Sequence, residues 1–454
     1  MAEDTFFTGN SYLILPIAYQ SNKFSFTEWI SLLTLCLAPL IAHIVAGVPQ
    51  PSLLHEPSPR WHERISMYNP TSILWRYAAI ADRRIRARCW DKKVFAATNA
   101  LFWTSQGWDG SEEMVALSSP YCTHLPEHAR IAVFSREFVK TSIVTLQGTQ
   151  AVVALGLALG DKPASDGFVV LMGVDQIFFP LAFIGLLRLF CAFWLTDDFA
   201  YTSLGSATRV EDAPSTAKMD NTSRVSMDSL LGYGVAKSDL KDARFLPTSS
   251  WGSRAFRALF IILLLGLWVI CVLFLLQPKG GKVFTTTAFL VALFYLVFIS
   301  ASVVICGYYL ARGHTSTAIP CAGSLWYASY TGLLIAMTLV VFVVACVETR
   351  RTACGRWTSA PYSVGDYWAC SDSRMPDVVA VDPSSRPAFG LATIEPSYDQ
   401  HNETLGYGEF WVRNFTGHCL GFLGNTTVKL ASTREVVDLR DFEGGDANSY
   451  SLWY

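Results

Sequence analysis

The chain has 454 residues, of which 51% are hydrophobic and only 16% charged, and its mean hydropathy is +0.31. That balance over such a length excludes a disordered chain and a single water-soluble core, and it points to several membrane spans. A net charge of −2 gives no global basic character, so nucleic acid is not an expected partner.

Residues 1–28 start acidic, lack a basic n-region and hold only the short apolar run Tyr12–Tyr19, so no cleavable signal peptide is expected and the first span acts as the insertion signal. That span is 29–48 and contains Pro39, a kink, and His43, an intramembrane imidazole suited to a helix-to-helix hydrogen bond or a polar path. Residues 49–140 are polar and carry twelve Lys and Arg. Within them 72–93 reads as one amphipathic helix capped by Thr71 or Ser72, with Arg76, Arg83, Arg84, Arg86 and Arg88 interleaved with Trp75, Tyr77, Ile80 and Trp90. Such a helix is expected to lie on anionic lipid headgroups or to pack on the bundle as a solvated helix. Cys122, His124 and His128 have spacing that could hold a metal, although Pro126 works against aligning them.

A second span, 142–160, is diluted by Gln147 and Gln150, and Gly148, Gly156 and Gly160 line one face where a neighbouring backbone can approach. The run 168–195 is the longest apolar stretch before the midpoint; as one helix its 28 residues would measure about 42 Å against a hydrocarbon core of about 30 Å. Its two charges, Asp175 and Arg188, face different sides and cannot pair with each other. Arg188 is expected to snorkel to headgroups, whereas Asp175, with Gln176, is a candidate lining of a polar path shared with His43, Gln147 and Gln150.

Residues 196–253 are rich in Ser, Thr, Asp and Lys and read as a disordered loop. Spans 258–276, 284–310 and 325–347 follow, with no ionisable residue inside them. The tail, 348–454, holds the sequons Asn402, Asn414 and Asn425 together with Cys354, Cys370 and Cys419. Clustered sequons and cysteines point to a glycosylated extracytoplasmic domain, with Cys354–Cys370 the nearest candidate disulfide.

The expected fold is therefore an all-α transmembrane bundle of about six spans with a small, β-rich C-terminal extracytoplasmic domain. Six spans with the tail outside put the N-terminus outside too, and 49–140, 196–253 and 311–324 in the cytoplasm. The positive-inside bias agrees, with Arg350, Arg351 and Arg356 the exceptions. No phosphate loop, zinc helix, nucleophile elbow or dinucleotide fingerprint occurs, so no catalytic residue or cofactor is expected. The expected role is a sensor or scaffold at the cell surface or in the secretory pathway, with the lipid bilayer and protein partners as its contacts. The alternative is a transporter or channel that forms a homo-oligomer to complete its path; a membrane enzyme ranks behind both.

Overall fold

A computed structural model of the chain describes residues 12–55, 58–160, 168–170, 172–202, 244–275, 282–351 and 357–361, and in the tail 378–381, 395–396, 410–413, 427–430 and 435–438. Strand β1 (Tyr12–Ile14) leads into helix α1 (Phe26–Gly47), whose first turn is closed by a reciprocal capping box between Ser25 and Glu28. Strand β2 (Pro51–Leu53), helices α2 (Trp61–Ile65), α3 (Pro70–Arg86) and α4 (Lys92–Asn99), strands β3 (Leu101–Thr104) and β4 (Gly107–Asp109), helix α5 (Glu113–Leu117) and strand β5 (Cys122–His124) make up an ordered layer. Then come α6 (Arg136–Gly160), β6 (Phe168–Val170), α7 (Phe179–Gly185), β7 (Ala200–Tyr201), α8 (Trp251–Leu275), β8 (Lys282–Phe284), α9 (Thr286–Ala311) and α10 (Leu325–Glu348).

Four of these helices, α1, α8, α9 and α10, are long and apolar enough to cross a membrane. The chain is thus a helical membrane protein. Large apolar side chains stand exposed along α8 and α10, including Ile262, Leu273, Leu333, Leu339 and Val343, a surface that suits lipid rather than water.

The bundle has two distinct ends. At one, β1, β8 and β6 form a parallel three-stranded sheet, and Gln20 donates to the Glu348 carbonyl (2.9 Å) while Glu348 accepts from the Thr287 amide (2.7 Å). The start of α1, the start of α9 and the end of α10 therefore meet at this sheet end. At the other end Arg188 reaches the Ala46 carbonyl at the close of α1, Arg257 of α8 donates to the Leu310 carbonyl of α9 (2.9 Å), and Ser72 of α3 meets Tyr327 of α10 (2.6 Å). We call this the basic end. Helix α6 leaves it, and the segment after β6 returns to it from the sheet end.

The run 168–195 departs from the expected single helix. It is β6, a 3₁₀ turn at Val174–Gln176, α7, and 3₁₀ turns at Leu186–Phe190 and Ala192–Trp194. Pro180 sits in the first turn of α7, where a missing N–H costs nothing, so the helix starts there instead of running through. Upstream, the chain at Gly173 passes so close to Trp357 that a Cβ would lie 3.0 Å from its carbonyl carbon. The Gly148 expectation holds for packing: a Cβ there would lie 2.5 Å from Leu186 Cδ2 and 2.9 Å from the Ala182 carbonyl.

Helix α3 also differs from the sequence reading. Its cap is Asn69, which accepts from the Thr71 amide (2.9 Å), with Pro70 at the first helical position. It ends at Arg86, where Ala87 bridges to Phe245 and Leu246 donates to the Arg86 carbonyl (2.7 Å); Asp91 then caps α4. So 72–93 is two helices. Far from lying on a surface, α3 is a core element: Leu74, Trp75 and Ala78 join the main apolar cluster with Phe298 and Tyr327, and Ile73, Tyr77 and Ile80 pack with Cys191 and Leu195.

The segment 49–140 is an ordered layer with its own apolar cluster of Leu54, Val94, Phe102, Met114 and Phe245. Both edges of the expected disordered loop are ordered too, since β7 pairs with β5 and Phe245 is buried; 203–243 lie outside the described residues. In the tail, five short strands pair in the order 395–396, 410–413, 378–381, 427–430, 435–438, all antiparallel.

Candidate functional site: charged networks at the basic end

Two buried ion-pair networks converge on α3. In the first, Asp82 accepts from Arg86 Nε (2.9 Å), from Arg257 Nε (3.1 Å) and Nη2 (2.7 Å), and from the Ser253 hydroxyl. Arg86 also pairs with Glu112 and donates to the Leu246 carbonyl (3.1 Å). Arg257 uses its remaining donors on the carbonyls of Leu310 (2.9 Å) and His314 (3.1 Å), which satisfies the end of α9. One carboxylate thus ties α3 to α8, and through Arg257 to the α9–α10 connection. Burial raises the Asp82 carboxyl, but the Arg257 hydrogen bonds and the Arg86 and Arg257 charges outweigh it and hold it below its ordinary range. Arg83, fully buried beside them, donates to the carbonyls of Gly110 and Thr315, and burial pushes its pKa down to about 10.

The second network centres on Arg188, which is 0% exposed. It pairs with Glu137 at the start of α6, donates to Thr141 Oγ1 (2.9 Å) and to the Ala46 carbonyl, and lies over the Tyr77 ring (5.9 Å). Glu137 also meets Lys140 (2.6 Å), and Arg188 and Lys140 hold its carboxyl low against the opposing effect of burial. Arg76 completes this side by donating to the carbonyls of Gly47 (3.1 Å) and Asn99 (3.2 Å). A buried charge persists where geometry is good and its donors are met, and Arg86, Arg188 and Arg257 each combine a carboxylate with backbone carbonyl or hydroxyl acceptors. What these networks can do is hold one register between helices.

The basic residues assigned to headgroup contact therefore need correction. Arg76, Arg83 and Arg86 are buried and turned to protein acceptors, because the chain offers carboxylates and helix-end carbonyls that lipid does not. Arg84 is half-buried and Arg88 exposed. The snorkelling expectation for Arg188 is overturned for the same reason, since Glu137 and the α1 terminus lie within its reach.

The five candidate path residues are not gathered around one cavity among the described residues. His43 is buried beside Gly185, at the level of Val144, with neither ring nitrogen hydrogen-bonded. Asp175 lies toward the sheet end, with Oδ1 against Gly173 and without a hydrogen-bond partner. Gln176 and Gln147 are half-buried, on different elements, and Gln150 is exposed. A cavity of about 10 Å³ near Ser72 and Arg76, room for about one water, touches none of the five.

Cys122, His124 and His128 are also kept apart. The Cys122 thiol donates to the His124 carbonyl (3.1 Å), the His124 ring faces Asp198 (2.9 Å), and His128 lines a cleft beyond Trp90. Burial raises the Cys122 thiol, which opposes the thiolate a metal needs, and among the described residues no group of three metal-ligating side chains converges. Asn402, Asn414, Asn425, Cys354 and Cys370 lie outside the described residues.

Sequence reading missed Asp82, Glu112, Glu137, Ser253 and Arg257 as network members. The Asp82–Arg86 spacing of four was a visible signal, as was Arg257, a cation at the edge of an apolar run. No family model, curated protein or solved structure matches the chain.

Proposed function

We propose that this protein is a six-crossing integral membrane protein that senses or scaffolds, rather than conducts, at the cell surface or in the secretory pathway. The observation that carries this reading is the separation of His43, beside Gly185, from Asp175, beside Gly173 toward the sheet end, combined with the ion pairs that tie Arg86, Arg188 and Arg257 to carboxylates at the basic end. Six crossings are supported by α6, which packs on α1 and α7, and by the 168–195 segment, which passes from β6 at the sheet end to Arg188 at the basic end. With the basic end cytoplasmic, both termini lie outside, and the tail, with its sequons and antiparallel strands, is the outer recognition part.

The test of orientation is glycosidase treatment of the full-length protein with Asn402, Asn414 and Asn425 changed to Gln. A mobility shift that disappears stepwise is the expected result, and protease sensitivity of a tail tag from the cytosolic side would overturn it.

A second reading, transport, is favoured by two buried groups without hydrogen-bond partners, His43 and Asp175 Oδ1. Asp175→Asn separates the two: in proteoliposomes, proton and ion flux equal to wild type is expected for a sensor or scaffold. Flux that the substitution abolishes would move the chain to the transport class.

A further inference from the structure

Beside the networks lies an open cleft of about 370 Å³ lined by Arg84, Trp90, His128, Ala129, Arg130 and Trp194, in the size range of small-ligand sites. Its walls are built by specific bonds. The Trp90 indole donates to the Ala129 carbonyl (2.7 Å), Asn99 donates to the Trp194 carbonyl (3.0 Å), and the Ile131 amide donates to the Phe193 carbonyl (3.0 Å). Arg84 stands between two indoles, 5.2 Å from the Trp90 ring centre and 5.9 Å from that of Trp194. Arg86, two residues on, is paired with Asp82 and Glu112, and Arg76 and Arg83 donate to backbone carbonyls, whereas the buried Nε of Arg84 has no hydrogen-bond partner. With indoles against its guanidinium, the donors on its edge are what remains to meet a ligand. Arg130 and His128 add two exposed cationic or cationisable groups. Neighbouring carboxylates are engaged elsewhere: Asp91 caps α4, Asp197 faces Lys140 and Asp198 faces His124; Glu127 is exposed next to His128.

The cleft's position identifies the source of its ligand. Exposed apolar side chains run down α6 through Leu146, Ile143, Val139 and Phe138, and continue past its start to Phe134, 86% exposed, and Val133, 70% exposed. Phe193, 68% exposed, belongs to the same rim through the Ile131–Phe193 bond. Phe134 holds φ +68°, a conformation uncommon for a bulky residue, and its ring meets Phe138 edge-on at 6.2 Å. An apolar tip held outward on strained backbone, next to tryptophans and arginines at the end of a membrane helix, is a structure for the headgroup layer.

We propose that the cleft binds the phosphate of an anionic phospholipid bearing a phosphomonoester headgroup, with Arg84 and Arg130 as its donors and Val133 and Phe134 seated among the acyl chains. The inference rests on the membrane reading above. It relocates headgroup recognition from the face of α3 to a pocket that only the fold creates.

The test uses full-length protein in neutral detergent, with dioctanoyl phosphatidic acid, dioctanoyl phosphatidylcholine and inorganic phosphate as probes and native mass spectrometry as the readout. Phosphatidic acid is expected to bind and phosphatidylcholine not, with Arg84→Gln plus Arg130→Gln weakening the former by about tenfold or more, as expected for lost charge-assisted hydrogen bonds. Val133→Ser plus Phe134→Ser is expected to weaken phosphatidic acid while leaving competition by inorganic phosphate unchanged. Equal binding by wild type and the arginine variant would overturn the proposal, as would equal binding of both lipids; inorganic phosphate competing as well as phosphatidic acid would make this a free-phosphate site instead. If the double arginine variant fails to fold, Arg130→Gln with His128→Gln, both on exposed positions, carries the same expectation of weakened binding, and unchanged affinity would count against the site. Alkaline carbonate extraction of membranes separates the two levels: release of the protein refutes the membrane reading, whereas retention with unchanged lipid affinity refutes the cleft alone.

Discussion

Asp82 accepts four hydrogen bonds from three side chains on two helices, and its replacement by Asn tests whether the networks hold the bundle's register. Asn keeps the volume and one acceptor but removes the charge, leaving Arg86 and Arg257 short of a counter-ion. Breaking a buried pair by removing one partner costs about 3–5 kcal/mol. The lower end applies here, because Arg86 keeps Glu112 and the Leu246 carbonyl while Arg257 keeps the Leu310 and His314 carbonyls. With an unfolding entropy of about 2.1 cal/mol/K per residue, 454 residues melting as one unit shift by roughly 1 °C per kcal/mol, so a midpoint drop of about 3 °C is expected. The assay is thermal unfolding of the detergent-solubilised protein followed by tryptophan fluorescence. Arg257→Met and the double variant complete a cycle, and the double variant is expected to lose clearly less than the sum of the singles, since the two share one interaction. Additive losses, or a midpoint for Asp82→Asn within experimental error of wild type, would refute the register role.

Two further outcomes follow from the same geometry. The carboxyls of Asp82 and Glu137 sit below their ordinary values of 3.8 and 4.5, so the unfolded chain binds protons at a higher pH than the folded one; stability is fully present above those values and is lost as pH falls through the lower folded ones. A midpoint–pH curve that is flat near neutrality and falls below about pH 4.5, less steeply in Asp82→Asn, is expected. Gly148→Val is expected to destabilise the packing of α6 on α7 by about 1–3 kcal/mol, because the Ala182 carbonyl cannot move aside as the Leu186 side chain can; limited proteolysis of α6 in membranes would rise accordingly.

The sequence by itself determined that the chain enters membranes, and where. Apolar runs of helical length at the first and last three spans depend only on composition and on the bilayer's thickness, and α1, α8, α9 and α10 follow them closely. It also determined the close approach at Gly148 of α6, since a small residue tells of a close neighbour without naming it. What tertiary structure decided was the use made of charge. Whether an arginine faces lipid, water or a carboxylate depends on groups far away in the chain, and Arg188 finds Glu137 fifty-one residues off, while Arg257 finds Asp82 at a separation of 175. A local pattern of Arg and Trp on 72–93 contains no such information, so the same residues read as a surface stripe become the buried centre of the basic end. Arg84 shows the same dependence: the fold sets its guanidinium against the indoles of Trp90 and Trp194, the second of them 110 residues away, which no local pattern could tell.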